Sequence, residues 1–345
     1  MTGLASLDCK IWLVTLYEEH KDSWIDRFRE AGVNLYQLRV DHKHLLNAVK
    51  KLERFIVDHR IDILHSSGMS ADLVNCLVRE SVLKVNTVRQ EFGALAEGKN
   101  YFKKKLSRSV TLFNHRAMDV RVACSKALQN HLNSYSRLCY ECVENGVDVD
   151  KYKVVDLVKK NSIRKRLGID KDTLIYLSVG VLYTRKQTLA LAKAFNDLSL
   201  SNAELIIVGD GVEMGELKIL AENSTQIRLI GKVIDPLEFY QCADIFVSAS
   251  LAEGLPNTVM EAMACGLPCI LSDIGPHKEI LNYDNNAGSL YETGNIQKLK
   301  QALLDSSNWN LSEMSTCAHE LVYENLSKYS TAKKYYSLYK RTINE

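Results

Sequence analysis

The chain has 345 residues, a formal net charge of +2 and 46% hydrophobic residues. That length exceeds one ordinary core and suits two domains of about 150 residues each. The near-neutral charge argues against nucleic acid as a partner, no apolar run approaches the ~18 residues of a spanning helix, and MTGLASLDCKIWLVTLY has no basic segment ahead of its apolar stretch, so no signal peptide is read.

Short β-rich runs alternate with longer helical stretches, the pattern of parallel α/β architecture. In the first half, strands are expected at Lys10–Leu16, Asn34–Leu38, Ile61–His65, Leu83–Val88, Asp119–Cys124 and Cys139–Val143. Helices are expected between them, for example at Leu45–Arg60 and Ala71–Glu80. In the second half the strands are Leu174–Val179, Glu204–Val208, Ile227–Ile230, Ile245–Ser248 and Cys269–Ser272. Each is apolar and bounded by Gly, Asp or Ser, as strands covered on both faces are. The polar stretch DVDKYKVVDLVKKN places a boundary between Asp148 and Asn161, giving domains 1–155 and 156–325. A final helix over 326–345, with Tyr329, Tyr335, Tyr336 and Tyr339, is expected to pack back on the first domain. Nine cysteines at irregular positions read as reduced thiols in a cytoplasmic protein. Cys139 and Cys142 form one C-x-x-C without a second pair, so no metal site is expected.

The most informative segment is SASLAEGLPNTVMEAMACGLPCILSDI, Ser248 to Ile274. Pro256 suits the first turn of a helix, and Gly266 with Pro268 stops it. Backbone N–H groups over about Pro256–Met260 that lack intrahelical partners make an anion site of the kind phosphates occupy. Glu261 lies about one turn in, within reach of a ribose attached to that phosphate. Glu253 stands on the loop before the turn and reaches what lies on the other side. A helix with two solvated or capping glutamates is the plainer alternative, and the flanking glycines, proline and strands argue against it.

Three other strand-end loops carry candidates. After Gly180 the chain delivers Arg185 and Lys186, cations able to neutralise a diphosphate leaving group. Gly209-Asp210-Gly211 resembles a fragment of a dinucleotide loop, but a tight left-handed turn explains it as well. Gly231-Lys232-Val233 could read a base edge with its backbone. In the first half, His65 ends an apolar strand and is either a substrate contact or a structural histidine. Lys99–Arg108, KNYFKKKLSR, is a candidate for contact with an anionic membrane surface, with a solvated helical face as the alternative.

These residues resemble the retaining glycosyltransferases of family four, the group 1 glycosyltransferases with the E-x7-E motif. The resemblance is collinear over Leu174–Leu281, through VGVLYTRKQT, IIVGDG, IRLIGKV, YQCADIFVSAS and EGLPNTVMEAMACGLPCILSDIGPHKEIL. It is weaker in DILHSSGMSAD, CSKALQNHL and ENGVDVDKY of the first half. The resemblance implies a GT-B fold, α/β, with two Rossmann-like doubly wound domains facing each other across a deep cleft. The first would bind acceptor and the second a nucleotide-sugar. It implies that Glu253 contacts the donor sugar and Glu261 the ribose. Leu255, Pro256, Asn257 and Thr258 would cradle the diphosphate, with Gly254 and Gly180 completing the donor-binding set. Lys186, helped by Arg185, would stabilise the departing phosphate, and Val233 would meet the base; His65 is counted with the catalytic residues for its place at a strand's carboxyl end. No cofactor or metal is implied.

The expected function is transfer of a sugar, with retention, from a UDP-sugar to a glycan or lipid-linked acceptor. Bacterial surface polysaccharide or glycolipid assembly at the inner face of the cell membrane would be the setting. Three departures stand out: Val181 where the family often has arginine, Arg89 where it often has histidine, and a first strand without the double-glycine loop. They keep a non-catalytic partner subunit of the same fold open as the alternative, ahead of a sugar-nucleotide epimerase.

Overall fold

The computed structural model describes residues 3–7, 9–18, 25–40, 45–90 and 101–344. The chain forms two compact units, one of Met1–Asn145 with Lys328–Glu345, the other of Gly146–Ser327. Along the first run β1 (Trp12–Thr15), α1 (Ile25–Glu30), β2 (Asn34–Gln37), α2 (Leu45–His59), β3 (Ile63–Ser67) and α3 (Met69–Leu77). Then come β4 (Leu83–Val88), α4 (Tyr101–Arg116), β5 (Val120–Ala123), α5 (Lys126–Ser136) and the two-residue β6 (Glu141–Cys142). Strands β3 to β6 form one parallel sheet in sequence order, and β1 pairs with β2 in parallel.

The second unit begins with α6 (Leu157–Arg166), β7 (Leu174–Val179), α7 (Thr188–Leu198), β8 (Ala203–Val208), α8 (Met214–Glu222), β9 (Ile227–Gly231) and α9 (Leu237–Cys242). It continues with β10 (Ile245–Ser248), α10 (Asn257–Ala264), β11 (Cys269–Ser272), α11 (Gly275–Leu281), β12 (Gly288–Tyr291), α12 (Ile296–Asp305) and α13 (Leu311–Asn325). The last helix, α14 (Lys328–Asn344), returns to the first unit.

The six strands of the second unit are all parallel, in the order β12-β11-β10-β7-β8-β9. The order reverses between β7 and β10. Connections leave the sheet in opposite directions on either side of that line, so the loops after these two strands part and leave a crevice at their carboxyl ends. The core is continuous beneath it: Tyr176, Leu205, Ile207, Ile245, Val247 and Ile270 of the strands meet Leu191, Phe195, Leu217 and Leu303 of the helices. At the opposite end, Asp244 accepts from Ile175 N–H at 2.7 Å and pairs with the buried Arg164 at 2.6 Å. Stripping one partner from such a pair costs roughly 3–5 kcal/mol, so α6 is firmly tied to the sheet.

Most expected elements form, with ends shifted by a few residues. Strand β12 was not expected, because GSLY offers no apolar run and opens on Gly288, where a Cβ would stand 2.2 Å from the Cys269 carbonyl oxygen. Pro256 is the N-cap of α10 rather than a first-turn residue. Its missing N–H is harmless there as well. Gly266, at φ +80°, closes the helix as expected, with Leu267 N–H reaching back to the Ala262 carbonyl.

In the first unit, α14 lies on the sheet, with Leu338, Tyr335 and Tyr339 packing among Val85, Val120, Val122 and Val143. The basic cluster Lys99–Arg108 falls partly outside the described residues. Of its helical part, Arg108 stacks over Tyr135 at 3.5 Å from the ring centroid, and Leu106 is exposed. Among the described residues no helix is long and apolar enough to cross a membrane.

Candidate donor site

The crevice between β7 and β10 is where most of the singled-out residues meet. A pocket there is lined by Ser178, Gly180, Lys186, Thr188, Ser248, Ser250 and Thr258, with Val179, Val181, Phe246, Val247 and Ala249. Small and polar side chains dominate its mouth, which leaves backbone and cations accessible to an anion. Gly180 has φ +156° and Gly209 φ +149°. A Cβ on Gly209 would stand 1.8 Å from the Gly180 carbonyl oxygen, and one on Gly211 2.6 Å from that of Leu182. The Gly-Asp-Gly segment is therefore neither a dinucleotide loop nor only a tight turn. Its glycines let the loops after β7 and β8 touch backbone to backbone.

The loop after β7 ends in a short 3-10 turn, Thr184–Lys186, that turns both cations toward the loop after β10. Lys186 Nζ lies 2.5 Å from Glu253 Oε1, and Arg185 lies 3.4 Å from Glu253 Oε2. Arg185 also donates to the Ala252 carbonyl at 2.8 Å, and its own carbonyl accepts from Leu251 N–H. Ser250 Oγ donates to Glu253 Oε1 at 2.7 Å. Burial alone would push the Glu253 carboxyl up, but the Lys186 charge, the hydrogen bonds from Lys186 and Ser250, and Arg185 outweigh it. The net result lies below the ordinary glutamate range. Glu253 is thus an anion paired with the two residues expected to meet phosphate.

From Glu253 the chain passes Gly254, the buried Leu255 and Pro256 into α10. The N–H groups of Thr258 and Val259 lie in its first turn, where a helix leaves donors without intrahelical partners and its dipole favours an anion. Glu261 lies one turn further in, and its surroundings differ. The fully buried Tyr240 donates its hydroxyl to Glu261 Oε2 at 2.9 Å. The Tyr152 hydroxyl, itself 3.2 Å from Lys151 Nζ, also bonds to Glu261. Lys151 pairs with Asp235 at 2.9 Å. Burial raises the Glu261 pKa, against the pull of the Tyr240 bond, Lys151 and Tyr152, and Asp235 adds to the rise. Val233 sits in the loop following β9, two residues before Asp235.

The structure therefore brings Gly180, Arg185, Lys186, Glu253 and Gly254–Thr258 to one crevice, with Glu261 at the far side of the same helix start. Tyr240, Tyr152, Lys151 and Ser250 were missed. Tyr240 could have been found: a tyrosine inside the apolar run FYQCADIFVS needs a buried partner for its hydroxyl. His65 belongs to the first unit. It lies in the middle of β3 rather than at its end, with Nε2 at 2.7 Å from Thr87 Oγ1 and Nδ1 at 2.5 Å from the Tyr339 hydroxyl. Desolvation and the Arg89 charge pull its pKa below the ordinary histidine value.

Residues 159–312 match the family Glycosyl transferases group 1, and residues 1–151 match Glycosyltransferase Family 4. The chain is 29% identical over 171 residues to the UDP-Gal:alpha-D-GlcNAc-diphosphoundecaprenol alpha-1,3-galactosyltransferase of Escherichia coli, spanning 47% of this chain but only 43% of that enzyme. It is 24% identical over 331 residues to the N-acetyl-alpha-D-glucosaminyl L-malate synthase of Bacillus anthracis, 90% of this chain and 83% of that one. The structure of Anabaena HepE in complex with UDP and glucose superimposes with a TM-score of 0.77 at 15% identity, over 98% of this chain and 93% of that one. The chain belongs to the family-four, group 1 glycosyltransferases and has their GT-B fold.

Proposed function

We propose that the protein is a retaining glycosyltransferase that takes its sugar from a UDP-sugar and passes it to a glycan or lipid-linked acceptor. The observation that carries the reading is the joining of Lys186, Arg185 and Glu253 at the mouth of a crevice floored by the start of α10. A sugar diphosphate laid there has its phosphates on the Thr258 and Val259 N–H groups, its sugar toward Glu253 and its ribose toward Glu261. Lys186 and Arg185 exchange Glu253 for the phosphate oxygens. They then meet the charge that grows on the leaving diphosphate, where a positioned electrostatic partner stabilises most. Glu253, freed of its cations and still held by Ser250, orients the sugar hydroxyls for attack on the face the phosphate leaves. His65 is assigned to the acceptor side and Val233 to the base.

UDP accompanies glucose in the HepE complex, and the E. coli relative is named for a UDP-Gal donor and a diphosphoundecaprenol acceptor. The first supports a UDP-sugar donor, and the second supports a UDP-sugar donor with a lipid-linked acceptor; a setting at the inner face of a membrane belongs to the same proposal. In this reading the cations replace a divalent ion. Purified protein with UDP-glucose, UDP-galactose and UDP-N-acetylglucosamine should release UDP slowly in EDTA. Absence of both UDP release and UDP, GDP and ADP binding by calorimetry would overturn the reading in favour of a non-catalytic subunit.

A further inference from the structure

His277, in the first turn of α11, has no part in the roles above, yet it is fully buried at the edge of the same site. Its Nδ1 lies 2.8 Å from the Ser272 carbonyl oxygen and 3.1 Å from Ser272 Oγ. Ser272 Oγ donates to the Ser250 carbonyl at 2.6 Å, and Ser250 Oγ donates to Glu253 at 2.7 Å. Ser250 and Ser272 are themselves buried.

These bonds decide which ring nitrogen carries the proton. A serine hydroxyl has one hydrogen, and that of Ser272 goes to a carbonyl, which only accepts. Ser272 Oγ can therefore only accept from the ring, as can the Ser272 carbonyl. Nδ1 must be the N–H, shared between the two Ser272 oxygens. Nε2 is left with a bare lone pair, buried and without a hydrogen-bond partner among the described residues. Burial pulls the ring's pKa down to about 4, against the bond to the Ser272 carbonyl and the Glu253 charge and with Lys186 adding to the fall, so the imidazole is neutral near pH 7.

Every hydrogen in the chain of contacts points the same way, from α11 through the end of β11 to the loop after β10. Strands β10 and β11 are paired, with Ser248 opposite Leu271, so the two strand ends are already side by side. The loop beyond them is held from one side by Arg185, through Leu251 N–H and the Ala252 carbonyl, and from the other by the Ser272 bond to the Ser250 carbonyl.

We propose that His277 is a positioning residue of the donor site, holding the Glu253 carboxylate in place through Ser272 and Ser250. This rests on the reading of the crevice as a sugar-nucleotide site. An asparagine at this position keeps an N–H near Nδ1, whereas alanine removes it. His277→Ala and Ser272→Ala should each lower kcat for UDP release ~10–100-fold per folded molecule, the scale of a small misplacement of a reacting group. UDP affinity should stay within ~3-fold, because the Glu261 end is untouched, and His277→Asn should recover most of the lost kcat. In the unmodified protein, 15N NMR of the histidine rings should show a neutral Nδ1-protonated tautomer for the signal that His277→Asn removes. An Nε2-protonated ring, an unchanged kcat in His277→Ala, or no recovery in His277→Asn would each overturn the proposal. The tautomer is read without any activity, so a protein that neither releases UDP nor binds a nucleotide would end the transferase reading and leave the His277 hydrogen-bond chain judged by NMR.

Discussion

Glu253 and Glu261 lie eight positions apart on either side of one helix start, and their surroundings are opposite in kind. Glu253 faces two cations and a hydroxyl, which hold it below the ordinary glutamate range. Glu261 faces two phenols, with Lys151 and Asp235 also acting on it, and burial lifts it. The difference separates two tasks. A carboxylate that yields its cations to a ligand's phosphate needs hydrogen-bond donors in their place, which Ser250 and the sugar hydroxyls would supply. A carboxylate that is short of compensation gains most from added hydrogen-bond donors, such as the two hydroxyls of a ribose.

The largest expected effect falls on the cation side. Lys186→Ala should lower kcat ~100–1000-fold in a metal-free UDP-release assay, the range seen when a positioned transition-state donor is lost. A loss confined to KM would mean that Lys186 grips the ground state only, and the contrast between the two ends would weaken.

A smaller effect, on stability, reads the same contrast without any substrate. Glu253→Gln leaves Lys186 without its anion and should lower unfolding stability by ~2–4 kcal/mol. Glu261→Gln removes a poorly compensated charge, keeps an acceptor for Tyr240, and should stay within ~1 kcal/mol of the parent. Their pH dependences also differ in sign. Because the Glu253 pKa is depressed on folding, its contribution is full above the unfolded value and is lost as pH falls through the folded one. Because the Glu261 pKa is raised, its contribution is full below the unfolded value and is lost as pH rises through the folded one. Thermal melts across the carboxylate range should therefore show Glu253→Gln flattening the acid-side loss and Glu261→Gln flattening the opposite slope. Equal shifts in both variants would contradict the assigned environments.

What could be read from the sequence follows the range of the interactions. The α10 segment was legible because its signals are local: a proline at the start, a glycine stop, two acids in register. The strands of the second unit were legible because burial on both faces writes them as apolar runs. The Lys186–Glu253 pair was not, since it joins positions 67 apart and depends on β7 lying beside β10, an order that periodicity does not encode. The same holds for Tyr152 beside Glu261, for the partner that the Tyr240 hydroxyl finds there, for the His277 chain, and for the glycines whose need is a neighbouring loop. Strand β12 escaped because an edge strand is covered on fewer sides and needs less apolar character. In the first unit His65 was noticed as a residue, but its ties to Thr87 and to Tyr339 of α14, far away in the chain, could not be foreseen.

The division of labour between the two glutamates is tested most directly by measuring UDP affinity calorimetrically and kcat for UDP release in Glu253→Gln and Glu261→Ala side by side. The account predicts that Glu253→Gln keeps UDP affinity within ~3-fold and loses ~100-fold in kcat, the scale of a lost positioning contact. Glu261→Ala should weaken UDP binding ~10-fold or more, as expected for lost hydrogen bonds to a charged group. Two variants that lose the same quantity, or a Glu253→Gln protein that turns over normally, would contradict it.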